Sequence, residues 1–194
     1  MAGRRFQYTG KQTPGNNTPA SFTAKIANAV IRACANTGIL PSVVIGQAIK
    51  ESGSGNDYKA FVYNNPFGHM ALSSWSGDGV RLSTKKGAPY WRVYPTMYDG
   101  IKAHVANLQQ GKYKLQGVAL KKTPIEQLKA LQAAGYNVGP DKNVYANKVA
   151  GIIGSYNLEN YDRELMAYER EINDNNLAFQ EQDGITKALH NIFA

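Results

Sequence analysis

Cysteine is almost missing from this 194-residue chain, where Cys34 stands alone. One thiol makes no internal disulfide and builds no Cys-rich zinc module. Long apolar runs are missing too. No stretch approaches the roughly 18 residues that cross a bilayer, which excludes a membrane-spanning helix. The basic start MAGRRFQYTG is followed by no apolar segment, so no secretory leader is expected. The three histidines, His69, His104 and His190, are scattered, and there is no HExxH pair. That argues against a zinc hydrolase. A GxSxG elbow and a GxxxxGK[ST] loop are also missing. Neither a metal nor an organic cofactor is implied.

Acids are scarce in one part of the chain only. The whole carries 22 Lys and Arg against 14 Asp and Glu, a net charge of +8. Residues 1–158 hold 19 bases and six acids, whereas residues 159–194 hold three bases and eight acids. A body this basic suits a polyanion, either nucleic acid or the anionic wall of a bacterium. The lysines follow no single helix, which makes nucleic acid the weaker choice and no nucleic-acid partner the expectation.

What is present reads as one globule of α+β class, mainly α. A 43% hydrophobic composition is enough for a core. Residues 1–18, rich in Gly, Pro, Asn and Thr, predict a flexible lead or surface arm. Phe22, Ile26, Val30 and Ala33 predict a helix from near Ser21 to Gly38. Pro41 opens a second, with Val44, Ile45, Ala48 and Ile49 on one stripe, ending at the glycines after Glu51. Residues 56–79 read as loop. Val80–Thr84 and Tyr90–Tyr94 alternate and predict one small β-hairpin. Three more helices follow, marked by Ile101, His104 and Leu108, by Leu128 and Leu131, and by Tyr145, Val149 and Ile153. Leu158, Tyr161, Leu165, Tyr168 and Ile172 form another stripe, expected to fold back on the body, and Asn173-Asp174-Asn175-Asn176 to interrupt it. The expected division is an arm at 1–18, a domain at 19–162 and an acidic helical extension at 163–194, with residues 177–194 expected to dock to a virion component or a second copy.

The chemistry rests with carboxylates. The first 158 residues have Glu51, Asp57, Asp78, Asp99, Glu126 and Asp141. Asp99 and Glu126 stand three residues after Thr96 and Thr123, the spacing of a capping box. Asp141 sits in a Gly-Pro-Asp-Lys turn. Cys34 and His104 lie on apolar stripes and read as core residues. Glu51 is different. It continues the stripe of Val44 and Ala48 and also ends its helix, where the macrodipole is negative. Burial and dipole both raise its pKa, the setting of a general acid that stays protonated near neutral pH. Tyr63, Phe67, Trp75, Tyr90, Trp91, Tyr94 and Tyr98 cluster after it, and sugar rings stack on aromatic faces.

Several segments in order resemble the peptidoglycan glucosaminidase family, which includes flagellar muramidases, autolysins and phage wall hydrolases. Gln47-Ala48-Ile49-Lys50-Glu51-Ser52-Gly53-Ser54-Gly55 resembles its QAxxESGxG segment. Asn65-Pro66-Phe67-Gly68-His69-Met70 is similar to its NxFGxK loop, with His-Met in place of Ile-Lys. Arg92-Val93-Tyr94-Pro95 resembles its F-R-x-Y-x-S step, and Leu131-Gln132-Ala133-Ala134-Gly135-Tyr136 its LQxxGYAT segment. Tyr145-Ala146-Asn147-Lys148-Val149 and Ile152 to Leu158 resemble its closing YAxKLxxIIxxYNL. The resemblance covers about residues 20–162.

It implies a lysozyme-like fold that cleaves β-1,4 bonds in the glycan strands of peptidoglycan, as an endo-β-N-acetylglucosaminidase. Glu51 matches the family's general acid and Tyr136 a tyrosine near the catalytic centre. Phe67, Gly68 and Tyr145 match positions that shape the groove, to which Asn65, Trp75 and Trp91 are added as expected substrate contacts. The hairpin carries no acid between Val80 and Tyr94, where members often have a second glutamate. Asp78, ahead of Asp57, is then the expected second carboxylate. Otherwise attack falls to water held by other groups, to the substrate's N-acetyl group, or to a sugar 6-hydroxyl in a lytic transglycosylase route. A muramidase, and a silent wall-binding or virion module, are the remaining readings. With no leader and no wall-binding repeats, a phage-type origin is expected.

Overall fold

The computed structural model describes residues 3–137 and 139–193, and side chains as far as Leu177. Strand β1 (Arg5–Gln7) lies in the segment expected to be a flexible lead or surface arm. It runs instead as the edge of a sheet, exposed but paired. Its partner is β2 (Gly79–Arg81), in parallel, with Phe6 beside Val80. Arg5 adds side-chain bonds to the carbonyls of Trp75 and Gly77, and Gly15 donates to Asn56 O at 3.1 Å. The arm is therefore stitched to the body over most of its length.

Helix α1 (Pro19–Cys34) opens on a capping box. Thr18 accepts from Ser21 N–H, and the Ser21 hydroxyl accepts from Thr18 N–H. Its buried face is Phe22, Ile26, Val30 and Cys34. Helix α2 (Pro41–Ser52) starts on its proline and ends at Gly53, whose φ of 56° suits a residue without Cβ. The stripe expected on one face understates α2. Every residue from Pro41 to Ile49 is buried, because α1, α6, α7 and α8 surround it.

Helix α3 (Tyr58–Tyr63) stands where only loop was expected, capped by Asp57, which accepts from Lys59 N–H at 2.8 Å. The hairpin pairs β2 with β3 (Trp91–Arg92) in antiparallel register, Val80 opposite Trp91. Helices α4 (Met97–Leu108) and α6 (Pro124–Ala133) open on the Thr96–Asp99 and Thr123–Glu126 capping boxes. Between them lie α5 (Gly111–Leu115) and a 3-10 turn at Val118–Leu120. Helix α7 (Tyr145–Ser155) runs antiparallel to α2. A Cβ on Gly46 would meet Val149 Cγ1 at 2.9 Å and Ile153 Cγ1 at 3.1 Å, so glycine lets the two axes close up. That approach carries Tyr145, in the first turn of α7, toward Glu51, in the last turn of α2.

Helix α8 (Glu159–Phe193) is continuous, and Asn173–Asn176 do not interrupt it. Amide-rich residues are poor helix formers but not breakers, unlike Gly or Pro. Its first turns fold back on the body. Leu158 and Leu165 are buried, and Asp162 accepts from Ser42 N–H at 2.8 Å and from Ser42 Oγ–H at 2.7 Å. A residue 120 positions away thus caps α2, whose own preceding residue, Leu40, has no side-chain oxygen. The division expected at 162/163 falls inside this helix. Beyond Leu177, the expected docking patch lies outside the described side chains. No described helix is long and apolar enough to cross a membrane.

Candidate active site

Glu51 is half-buried at the end of the most buried helix. The Tyr145 hydroxyl donates to its Oε1 at 2.6 Å. Burial pushes its pKa up to about 7, the dominant effect. Tyr145, Tyr136 and the Lys50 ammonium oppose that shift, since each favours the ionised carboxyl. The result is an acid that holds its proton at neutral pH yet gives it up readily. Their own burial, with the Glu51 charge adding to it, pushes the Tyr136 and Tyr145 phenols well up, so both remain donors.

A pocket of about 180 Å³ opens on this carboxyl, lined by Lys50, Glu51, Tyr136, Asn137 and Tyr145. Asn137 is shared with a basin of about 400 Å³ that also has Lys129, Gln132 and Lys142 on its walls. The two pockets meet at Asn137, and lysines stand on the walls of both. Asp141 stands beside them, pairing with Lys50 at 3.2 Å and Lys148 at 2.7 Å. Its pKa is held down by those two lysines. Sequence reasoning took Asp141 as a turn residue, and its hold on Lys50 is a link to the pocket that spacing does not reveal.

Tyr136 and Tyr145 therefore meet Glu51, as three separate segments converge. Asp78 does not join them. Arg4 N–H donates to its Oδ1 at 2.8 Å, and Arg4 Nη2 to its Oδ2 at 3.1 Å. Those bonds lower its pKa. Among the described residues, neither Asp78 nor Asp57 lines the Glu51 pocket. Asp57 is spent on α3, with its other oxygen accepting from Lys59 Nζ at 2.8 Å.

The remaining expected contacts divide into two kinds. Asn65 and Phe67 are buried, and neither lines the Glu51 pocket. The Asn65 amide donates to the carbonyls of His69 and Arg92 and accepts from His69 N–H, tying the loop to the hairpin. Phe67 stacks on His104 with ring centroids 3.6 Å apart. Gly68, at φ 61°, turns the loop close under the Trp91 ring. Trp75 and Trp91 are half-buried, with Arg92 over the former at 4.6 Å and Lys59 over the latter at 5.0 Å. Spacing did not single out Gln47 or His69, and it read His104, which is buried, only as a core residue. All three are polar groups on apolar ground, which was the available signal. Gln47 is fully buried and donates to the Tyr145 hydroxyl at 3.1 Å.

Comparison with known proteins gives the family and the fold. Residues 27–158 match the Glucosaminidase family, described as mannosyl-glycoprotein endo-beta-N-acetylglucosaminidase. The exo-glucosaminidase LytG of Bacillus subtilis (strain 168) is 33% identical over 136 residues, which is 64% of this chain and 46% of LytG. The match thus spans just under half the length of that relative. The catalytic domain of the autolysin Auto from Listeria monocytogenes superposes with a TM-score of 0.64 at 26% identity, over 76% of this chain and 90% of that one. The glycoside hydrolase domain of Salmonella typhimurium FlgJ shares the fold, with a TM-score of 0.59 at 24% identity, over 86% of this chain and 99% of its own.

Proposed function

Because the chain belongs to the Glucosaminidase family, we infer that it hydrolyses β-1,4 glycosidic bonds in the glycan strands of peptidoglycan, with Glu51 as general acid. One observation carries the assignment of the acid: a carboxyl raised to about 7 by burial, at the floor of an open pocket, with a tyrosine hydroxyl 2.6 Å from one oxygen. In the proposed step Glu51 gives its proton to the glycosidic oxygen as the bond from that oxygen to the anomeric carbon breaks. The lysines on the pocket walls, Lys50, Lys129 and Lys142, favour an anionic polymer. Tyr136 and Tyr145 hold the acid, while Trp75 and Trp91 offer ring faces to sugars. The site of action is the bacterial cell wall.

What attacks the anomeric carbon is a separate question. Service by Asp78 requires that Arg4 release it. Without a second carboxylate, the attacking oxygen comes from water, from the substrate's acetamido group or from a sugar 6-hydroxyl. Mass spectrometry of digested wall separates the 6-hydroxyl route from the other two and identifies the bond cut, and the anomeric configuration of the fresh product, read by NMR, separates attack by water from attack by the acetamido group. A glucosaminidase leaves a reducing N-acetylglucosamine end, a muramidase leaves reducing N-acetylmuramic acid, and a transglycosylase leaves a 1,6-anhydro end. Glu51→Gln keeps the shape and removes the proton. Clearance of a wall suspension should fall at least ~10²-fold. Undiminished clearance by a folded Glu51→Gln protein rejects the assignment.

A further inference from the structure

Behind Glu51 runs an unbroken line of polar side chains through the core. Tyr145 Oη lies 2.6 Å from Glu51 Oε1, and Gln47 Nε2 lies 3.1 Å from Tyr145 Oη. Gln47 Oε1 lies 3.1 Å from His104 Nε2. His104 Nδ1 lies 3.3 Å from His69 Nε2, and His69 Nδ1 lies 2.8 Å from Tyr94 Oη. The line therefore links the acid on α2 to α7, back to α2, on to α4, to the 65–70 loop and to the residues after β3. Gln47, His104, Tyr94 and Tyr145 are all buried. Buried polar groups are hydrogen-bonded as a rule, but five in series form a directed object.

Such a line has two self-consistent polarities, because an imidazole has two neutral tautomers and an amide can turn over. In one, every proton points toward Glu51, and its Oε1 is only an acceptor. In the other, every proton points away, and Glu51 must carry its own proton on Oε1, directed into the core and useless to a substrate. The orientation of the Gln47 amide decides between them: its Nε2 faces the Tyr145 hydroxyl and its Oε1 faces His104 Nε2. An amide oxygen only accepts, so His104 donates from Nε2, and a neutral His104 then accepts at Nδ1 from His69, whose own Nδ1 accepts from the Tyr94 hydroxyl. The rest follows in order. His69 donates from Nε2 to His104 Nδ1, His104 donates from Nε2 to Gln47, Gln47 donates to Tyr145, and Tyr145 donates to Glu51.

We propose that Gln47, His69 and His104 are positioning residues: with Tyr94 they polarise a hydrogen-bond chain toward Glu51, which keeps Oε1 an acceptor and leaves the acid's proton on Oε2. The proposal rests on Glu51 being the acid. Neutral rings are required, and burial supplies them. It lowers His69 to about 4, with Arg92 adding to the effect, and holds His104 well below the usual imidazole range. The other groups facing Glu51 are Tyr136 from the loop after α6, Tyr113 from α5, and Lys50 with its partner Asp141. Tyr136 also faces His104, with ring centroids 5.9 Å apart.

The test reads proton positions first. Nitrogen-15 NMR of the full chain, labelled in histidine, should find His69 and His104 neutral at pH 7 and protonated at Nε2 alone. A proton on Nδ1 of either ring overturns the proposal, and this measurement needs no variant to fold. His69→Ile then removes one donor far from substrate. With the chain slack, Tyr145 donates less firmly and the ionised carboxyl is less favoured. The expected result is a ~3- to 10-fold loss in kcat with KM nearly unchanged, and a basic limb of the pH profile moved up by ~0.5 unit. A folded His69→Ile protein with an unshifted limb overturns the proposal, even where Glu51→Gln is inactive and the acid assignment stands. A fully active Glu51→Gln protein overturns that assignment instead, and the proposal with it.

Discussion

The C-terminal end of α2 and the entry to the hairpin each hold a carboxylate, and they treat it in opposite ways. At α2 the helix is buried on all sides, so Glu51 is driven toward its neutral form despite two tyrosines and a lysine that favour its charge. At the hairpin Asp78 lies against water and takes both a backbone and a guanidinium donor from Arg4, so its charge is held. Desolvation wins where the carboxyl is enclosed, and specific partners win where it is not. An acid and an anion are thus available in one small domain, from placement alone.

The largest effect should come from breaking the enclosed side. Beyond its loss of activity, Glu51→Gln should alter the pH dependence of stability. The folded state holds the Glu51 proton up to about 7, against 4.5 for an ordinary glutamate. Between those values the folded state binds more protons than the unfolded, so this group's contribution to stability falls as pH rises. Chemical denaturation of the Gln variant should lack that fall, a difference of at most ~3 kcal/mol at pH 8. Next, Tyr145→Phe strips the 2.6 Å donor from the carboxyl and leaves the buried Gln47 amide without its acceptor. The basic limb of the pH–rate profile should move up, kcat should drop ~10-fold, and the unpaired amide should cost ~1–3 kcal/mol. A limb that stays in place would mean that Tyr145 does not tune the acid.

Smaller effects are expected at the open side, and they sharpen the contrast. Asp78→Asn keeps the acceptor for Arg4 but removes the charge. Activity within about threefold of the parent assigns attack to water or to a substrate group, whereas a loss beyond ~10²-fold makes Asp78 the second carboxylate. Arg4→Ala should do least. An exposed pair contributes little to stability, so melting should hardly move, while the Asp78 carboxyl should titrate closer to an ordinary aspartate by NMR.

Much of this was legible from neighbouring residues. The Thr96–Asp99 and Thr123–Glu126 boxes act within three positions, so their motifs and their structures coincide. Pro41 opens α2 for the same local reason. Glu51 was found by its place on a helix and by its family's motif, and its pKa moves in the direction that helix position and burial dictate. What spacing missed lies between distant segments. The Asn-rich run was read as a break because its residues favour turns, yet α8 passes straight through it. The first residues were read as a flexible lead or surface arm because they lack periodicity, but a three-residue edge strand needs only a partner, and β2 lies more than seventy residues on.

By itself, the sequence determined helices α1, α2, α4, α6 and α7, the capping boxes of α4 and α6, the hairpin and Glu51 as the candidate acid, since propensity, capping and periodicity act over a few residues. Only the tertiary structure decided which groups meet that carboxylate. Gly46 admits α7, α7 delivers Tyr145, and Gln47, His104 and His69 then form a line across four elements. It likewise decided that Asp162 caps α2 and that Arg4 occupies Asp78. The physical reason is the same in each case: burial and hydrogen-bond partnership depend on what packs alongside, and chain separation carries no information about that.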